Sequence, residues 1–187
     1  MKQNLKDYIR TYKGIIPKDI SEKAILDFSE MPSEKNTFYN YTKNENVTLR
    51  GDAEPDVIIY EKNTDLNEIV WNCIHDYIDD LKFSWFNSWS GFSLPRVNIY
   101  GPSNTMAFHC DRIKSMFDGN RKGDPTLAVL GLLHSDFEGG KLMMFDEDSP
   151  LEFEQSDVIV FPSTFLYPHG VAPVTLGKRI SFVSWVW

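Results

Sequence analysis

The hydrophobic rhythm of the chain changes near residue 93. Upstream, apolar positions recur at three- and four-residue steps or in short isolated clusters; downstream they come in brief β-rich runs cut by Gly, Pro, Asp and Asn. In the first half, "YIRTYKGII" (8–16) reads as a strand that ends before Pro17. "PKDISEKAILDF" then reads as a short amphipathic helix with Ile20, Ala24, Ile25 and Phe28 on one side. The clearest helix runs from Thr64, a candidate cap, to Lys82, with Leu66, Ile69, Val70, Cys73, Tyr77, Ile78 and Leu81 forming one stripe. His75 falls off that stripe and reads as a surface histidine. Residues 32–56 are polar and turn-rich, which predicts a mobile excursion and a candidate lid.

From Ser93 onward, "LPRVNIYG", "TMAFHCD", "TLAVLGLLH", "GKLMMF", "DVIVFPS", "HGVAPV" and "RISFVSWVW" predict about seven strands. Gly139 and Gly140 in "HSDFEGGK" suit a hairpin connection, because glycine takes positive φ at no steric cost. Helices followed by strands predict an α+β, mainly β fold: a double-stranded β-helix (jelly-roll or cupin-like) packed against N-terminal helices. The expected organisation is a single domain over 1–187, with 1–92 as helical support and lid and 93–187 as the jelly-roll core.

Composition narrows the function. The chain has 187 residues, 42% hydrophobic and 14% aromatic, enough for one real core. A net charge of −8 argues against clamping nucleic acid through its phosphates. The local basic strip Arg112, Lys114, Arg121 and Lys122 reads as a solvated loop. Two cysteines make no disulfide framework, so Cys73 and Cys110 are expected as free thiols in a reducing compartment. "MKQNLKDYIR" lacks a signal-peptide apolar run and no 18-residue apolar stretch exists, which predicts a cytoplasmic protein with no membrane partner.

The candidate chemistry lies in "AFHCDRI". On a strand His109 and Asp111 point to one face, whereas on a helix they would sit about 200° apart. A histidine and a carboxylate converging inside a cupin-like barrel suit a redox-competent Fe(II) site, which needs one more histidine from a later strand. His134, at a strand end, and His169, opening a strand in "YPHGVAPV", are the later-strand histidines. Further on, Arg179 and Ser181 share a face, and an always-charged guanidinium fork suits the distal carboxylate of a dicarboxylate. In a flat hairpin Arg179 would stand roughly 16 Å from His169. If "TLG" crosses between two sheets, the gap shrinks to the length of a five-carbon diacid.

"HCD", a histidine sixty residues later, and "RIS" ten residues after that resemble the Fe(II)/2-oxoglutarate-dependent dioxygenases, closest to their prolyl-hydroxylase-like branch. The resemblance runs from Arg96 to the C-terminus and includes "NIYG", "DFEGGKLMMF" and "HGVAPVTLGKRISFVSW". It implies that His109, Asp111 and His169 hold Fe(II), that Arg179 with Ser181 anchors 2-oxoglutarate, and that Tyr100 contacts the cosubstrate. It implies O2-dependent hydroxylation of a C–H bond with release of succinate and CO2, and ascorbate as a candidate reductant. The implied substrate is a prolyl or other residue of a peptide or protein. Alternatives are a free amino acid or small metabolite, AlkB-type nucleic-acid demethylation, which the acidic charge opposes, and a non-enzymatic jelly-roll binding module.

One departure stands out. Oxygen-sensing members of the family often place a tyrosine before the "GG" segment, where this chain has Leu132 and Leu133. That leaves Tyr100 or Ser181 as the second contact to the cosubstrate. Arg96 and Asn98 share the face of Tyr100 and are candidate substrate contacts, with structural hydrogen bonding as the equal alternative. Trp85, Trp89, Trp185 and Trp187 read as core or rim packing, and Asp118, Asp124, Asp136, Asp146 and Asp148 as turn residues.

Overall fold

The computed structural model describes residues 4–40, 42–61, 64–82, 89–111 and 124–187. The Thr64 side chain, Trp85, Asp118 and the basic strip of Arg112, Lys114, Arg121 and Lys122 lie outside the described residues. The first half contains β1 (Arg10–Tyr12), α1 (Lys18–Glu30), β2 (Glu34–Lys35), β3 (Phe38–Asn40), β4 (Glu45–Val47), β5 (Asp56–Ile59) and α2 (Thr64–Leu81). The second half contains β6 (Arg96–Tyr100), β7 (Met106–His109), β8 (Leu127–His134), β9 (Phe137–Gly139) and β10 (Leu142–Met144). It closes with β11 (Val158–Pro162), β12 (His169–Val171), β13 (Val174–Gly177) and β14 (Arg179–Val186).

Seven strands form one sheet in the order β1-β11-β8-β14-β6-β5-β2, and three form a second in the order β10-β12-β7. Every pairing within both is antiparallel. The pairs β13-β9 and β3-β4 stand apart. The architecture is a double-stranded β-helix, with α1 and α2 packed on the outer face of the larger sheet.

Strand alternation separates two cores. Leu127, Val129 and Leu133 of β8, Val158 and Val160 of β11, and Ile180, Phe182 and Val186 of β14 pack with the helices. The alternate residues Ala128, Leu130, Ile159, Phe161, Val183 and Trp185 face the smaller sheet with Leu142, Met144 and Val171. Because both faces of the larger sheet are covered, β8 and β14 read as nearly unbroken apolar runs. Arg179 and Ser181 share the inward parity of Val183 and Trp185, so the sandwich interior carries a cation among apolar neighbours.

Several expectations change. The strand foreseen over 8–16 is confined to Arg10–Tyr12, since Leu5–Tyr8 forms a 3-10 turn and Gly14 takes φ +63°. Residues 32–56 are not a structureless excursion. β2 and β5 extend the larger sheet, and β3 and β4 form a hairpin. Nor is "HSDFEGGK" a hairpin between its flanking strands, because β8 and β10 belong to different sheets and β9 pairs with β13. Gly139 and Gly140 do take positive φ, +73° and +57°. A Cβ at Gly139 would lie 2.4 Å from the Pro173 carbonyl oxygen, so the glycines allow the chain to cross closely between sheets. The two helices fall close to where the periodicity places them, with Ala24, Phe28, Leu66, Val70, Cys73 and Tyr77 buried and His75 exposed beside Asp79.

Candidate functional site

One local rule and one pairing bring the first three residues together. His109 ends β7, and Asp111 follows at the i+2 position that keeps it on the same side. β12 pairs with β7 so that His169 lies directly across from His109, their rings 4.6 Å apart. A Cβ at Gly170 would meet the Met106 carbonyl oxygen at 2.9 Å, so the glycine beside His169 permits this close strand approach.

The Nε2 atoms of His109 and His169 lie 3.5 Å and 3.6 Å from Asp111 Oδ1, and all three ligand atoms fall within 4.8 Å of one another. These gaps are long for hydrogen bonds. Neighbouring ligands of a metal bonded at about 2.0–2.2 Å stand roughly 3 Å apart, so modest closure would let one divalent cation bind all three. Each imidazole is oriented for that use: the Nδ1 of His109 lies 2.8 Å from the Ala107 carbonyl oxygen and the Nδ1 of His169 3.1 Å from that of Tyr167. With Nδ1–H donating to a carbonyl, the lone pair resides on Nε2, facing the cluster. Burial lowers the pKa of His169, favouring the neutral ring. Burial alone would raise the pKa of Asp111, but His169 and His109 outweigh it and hold the carboxyl down at about 2. The indole N–H of Trp185 adds to this without completing a standard hydrogen bond, and Asp111 Oδ2 has no hydrogen-bond partner among the described residues.

These groups open into a cavity of about 420 Å³ between the two sheets. Its opposite wall is built by β6 and β14, whose register sets Tyr100 beside Arg179, Asn98 beside Ser181 and Arg96 beside Val183. Arg179 is 1% exposed, donates a 2.7 Å hydrogen bond to Ser181 Oγ, and lies over the Tyr100 ring at 5.0 Å. No carboxylate among the described residues pairs with it, and burial lowers its pKa. A buried guanidinium without an acid is costly unless an anion arrives to accompany it. β12 lies in the smaller sheet and β14 in the larger one, so 169–184 does cross between sheets instead of forming a flat hairpin.

All eight residues singled out by sequence line this cavity: His109, Asp111, His169, Tyr100, Arg179, Ser181, Arg96 and Asn98. His134 stays outside the cluster, at the end of β8 opposite Ile180. Where a tyrosine often precedes "GG", Leu132 and Leu133 are buried, and Ser181 and Tyr100 are the groups against Arg179. Trp185, expected as packing, is also a wall residue beside Asp111; counting alternate positions from Arg179 would have found it. The sequence reading missed Phe38, edge-on to His109 at 5.4 Å, and Asn36, since no motif marks the 32–56 segment. No helix among the described residues is long and apolar enough to cross a membrane.

Comparison with known proteins agrees with this geometry. Residues 95–187 match the family model of the 2OG-Fe(II) oxygenase superfamily. A PKHD-type hydroxylase of Idiomarina loihiensis is 41% identical over 92 residues, covering 48% of this chain and 40% of that one. A PKHD-type hydroxylase of Alteromonas mediterranea is 33% identical over 99 residues, covering 49% and 42%. The chain thus matches about two fifths of the length of these curated relatives. Among solved structures, a prolyl hydroxylase of Trichoplax adhaerens, in complex with a hypoxia inducible factor oxygen degradation domain peptide fragment, shares the fold. Its TM-score is 0.68 at 17% identity, over 96% of this chain and 83% of that one.

Proposed function

We propose, from the match of residues 95–187 to the 2OG-Fe(II) oxygenase superfamily and their similarity to PKHD-type hydroxylases, that this chain hydroxylates a C–H bond, with prolyl or other peptide residues as the leading substrate class. The observation that carries the reading is the pairing of two unsatisfied features across one cavity. On one wall, two Nε2 lone pairs and a carboxylate converge on one point; on the other, a buried guanidinium has no carboxylate paired with it among the described residues. Fe(II) fits the first set by donor type and open-faced arrangement, and the distal carboxylate of 2-oxoglutarate fits the second.

In this reading His109, Asp111 and His169 hold the metal, while Arg179 with Ser181 anchors the cosubstrate. Tyr100, which lines the cavity beside Arg179, faces the cosubstrate. Bound iron supplies the O2-dependent oxidation that converts 2-oxoglutarate to succinate and CO2 and hydroxylates the substrate. The chain's own contribution is placement. The Ala107 and Tyr167 carbonyls fix both imidazoles, and Phe38 packs edge-on against His109. We also propose that 1–187 works as one oxygenase unit, because β1, β2 and β5 extend the same sheet and residues 34–39 line the same cavity.

Iron content after anaerobic reconstitution and succinate release across proline-rich peptides, free proline and methylated oligonucleotides test this. The expected result is about one iron per chain and 2-oxoglutarate-dependent succinate release stimulated by a proline-bearing substrate. A protein that takes up no iron and releases no succinate would instead be a jelly-roll binding module.

A further inference from the structure

A second guanidinium lines the same cavity. Arg96, mostly buried, stands on β6 opposite Val183, four residues from the level of Arg179, or about 13 Å along the strand. It therefore lies near Trp185, the neighbour of Asp111, at the end of the wall away from Arg179. Among the described residues its side chain makes one hydrogen bond, to Asn36 Oδ1. Asn36 in turn donates to Glu54 Oε2 at 3.1 Å, and Glu54 Oε1 accepts the Arg50 backbone N–H at 3.2 Å. Glu54 is fully buried, and its two oxygens are thereby engaged. The chain therefore holds Arg96 through an asparagine, keeping Glu54 one side chain away, while Asp111 acts on the guanidinium across the cavity without an ion pair among the described residues. The remaining guanidinium donors have no protein acceptor among the described residues, although the residue lines an open cavity.

We propose that Arg96, positioned by Asn36 and Glu54, is a carboxylate-binding subsite for the substrate that is oxidised, distinct from the Arg179 end. This rests on the functional reading above and deepens it by naming a property of the substrate: it carries a carboxylate that docks on Arg96. A guanidinium fork binds a carboxylate through two parallel charge-assisted hydrogen bonds, whereas an amide oxygen offers no compensating charge. The carboxylate can belong to a free amino acid or to an acidic residue of a peptide. The same arginine serves either.

Iron uptake and 2-oxoglutarate binding are recorded first by metal analysis and calorimetry, and a failure there removes the functional reading alone. Binding is then titrated anaerobically into iron- and 2-oxoglutarate-loaded protein, or into metal-free protein if loading fails. Two matched pairs serve as probes: L-proline against L-prolinamide, and a blocked hexapeptide with glutamate beside proline against its glutamine counterpart. The acid of at least one pair is expected to bind about tenfold or more tighter than its neutral partner, and the pair that discriminates identifies the source. Arg96→Gln should erase that preference and Arg96→Lys should retain part of it. The wild-type comparison needs no variant, so a misfolded substitution does not blunt the test. Equal binding of acid and amide in both pairs, no binding of either acid up to about 10 mM, or a preference that survives Arg96→Gln would overturn the proposal.

Discussion

The two walls of the cavity place charge differently. On the three-stranded wall, Asp111 stands 3.5 Å and 3.6 Å from two imidazoles, and each imidazole is fixed by a backbone carbonyl. On the seven-stranded wall, Arg179 and Arg96 are drawn into the sandwich with no carboxylate at ion-pair distance among the described residues. One wall concentrates lone pairs and a negative charge, and the other concentrates N–H donors and positive charge. In the proposed reading a cation completes the first and anions complete the second. The cavity is therefore polarised across its width, and a metal and an anionic ligand can each enter where the protein has left a charge unmatched.

Alanine at His109, Asp111 or His169 breaks the first wall outright. Bound iron should fall from about one per chain to background in metal analysis, and 2-oxoglutarate-dependent succinate release should vanish. Arg179→Ala breaks the second wall and separates the two. Iron content should persist while calorimetry shows 2-oxoglutarate binding weaker by about 3–5 kcal/mol, or roughly two to four powers of ten. Equal loss of iron in this variant would show that the walls do not act independently.

Packing behind each wall gives a smaller contrast. A Cβ at Gly131 would lie 2.1 Å from the Phe182 ring, on the helix side of the larger sheet. Gly131→Ala should lower unfolding stability by about 1–3 kcal/mol in urea titration without changing the iron affinity of the folded fraction. Gly170→Ala, forced against Met106 and Phe108, should weaken iron binding as well, because it pushes β12 off β7. The smallest effect concerns the thiols. Burial pushes the Cys73 thiol up to about 12, whereas Cys110 lies half-buried at the cavity, and neither is in a disulfide. Alkylation near pH 8 should give one label, at Cys110, by peptide mass mapping.

Legibility followed the range of the interactions. The α2 stripe was readable because side chains three and four apart share a helix face whatever surrounds them. His109 with Asp111, and Arg179 with Ser181, were readable by the same local logic at a period of two. The 32–56 segment was not: its strands bury few apolar residues, and polar bonds such as Asn36 to Glu54 and Arg96 leave no periodic trace. "HSDFEGGK" misled in an instructive way. Positive φ at two glycines serves a tight hairpin or a close crossing between sheets equally well, and only the pairing partner distinguishes them.

The amino-acid sequence by itself determined which side chains share a face within each element, since alternation follows from backbone geometry a few residues at a time. It also determined that one histidine–carboxylate pair and one arginine–serine pair exist, and it raised the expectation that a later histidine joins the first. Tertiary structure decided that β12 lies across from β7, so that His169 meets the pair and His134 does not. It also decided that the chain crosses between sheets before Arg179, and that Asn36 stands between Arg96 and Glu54. Contacts between residues about sixty positions apart depend on which strands pair and which surfaces are buried, and those are properties of the whole chain.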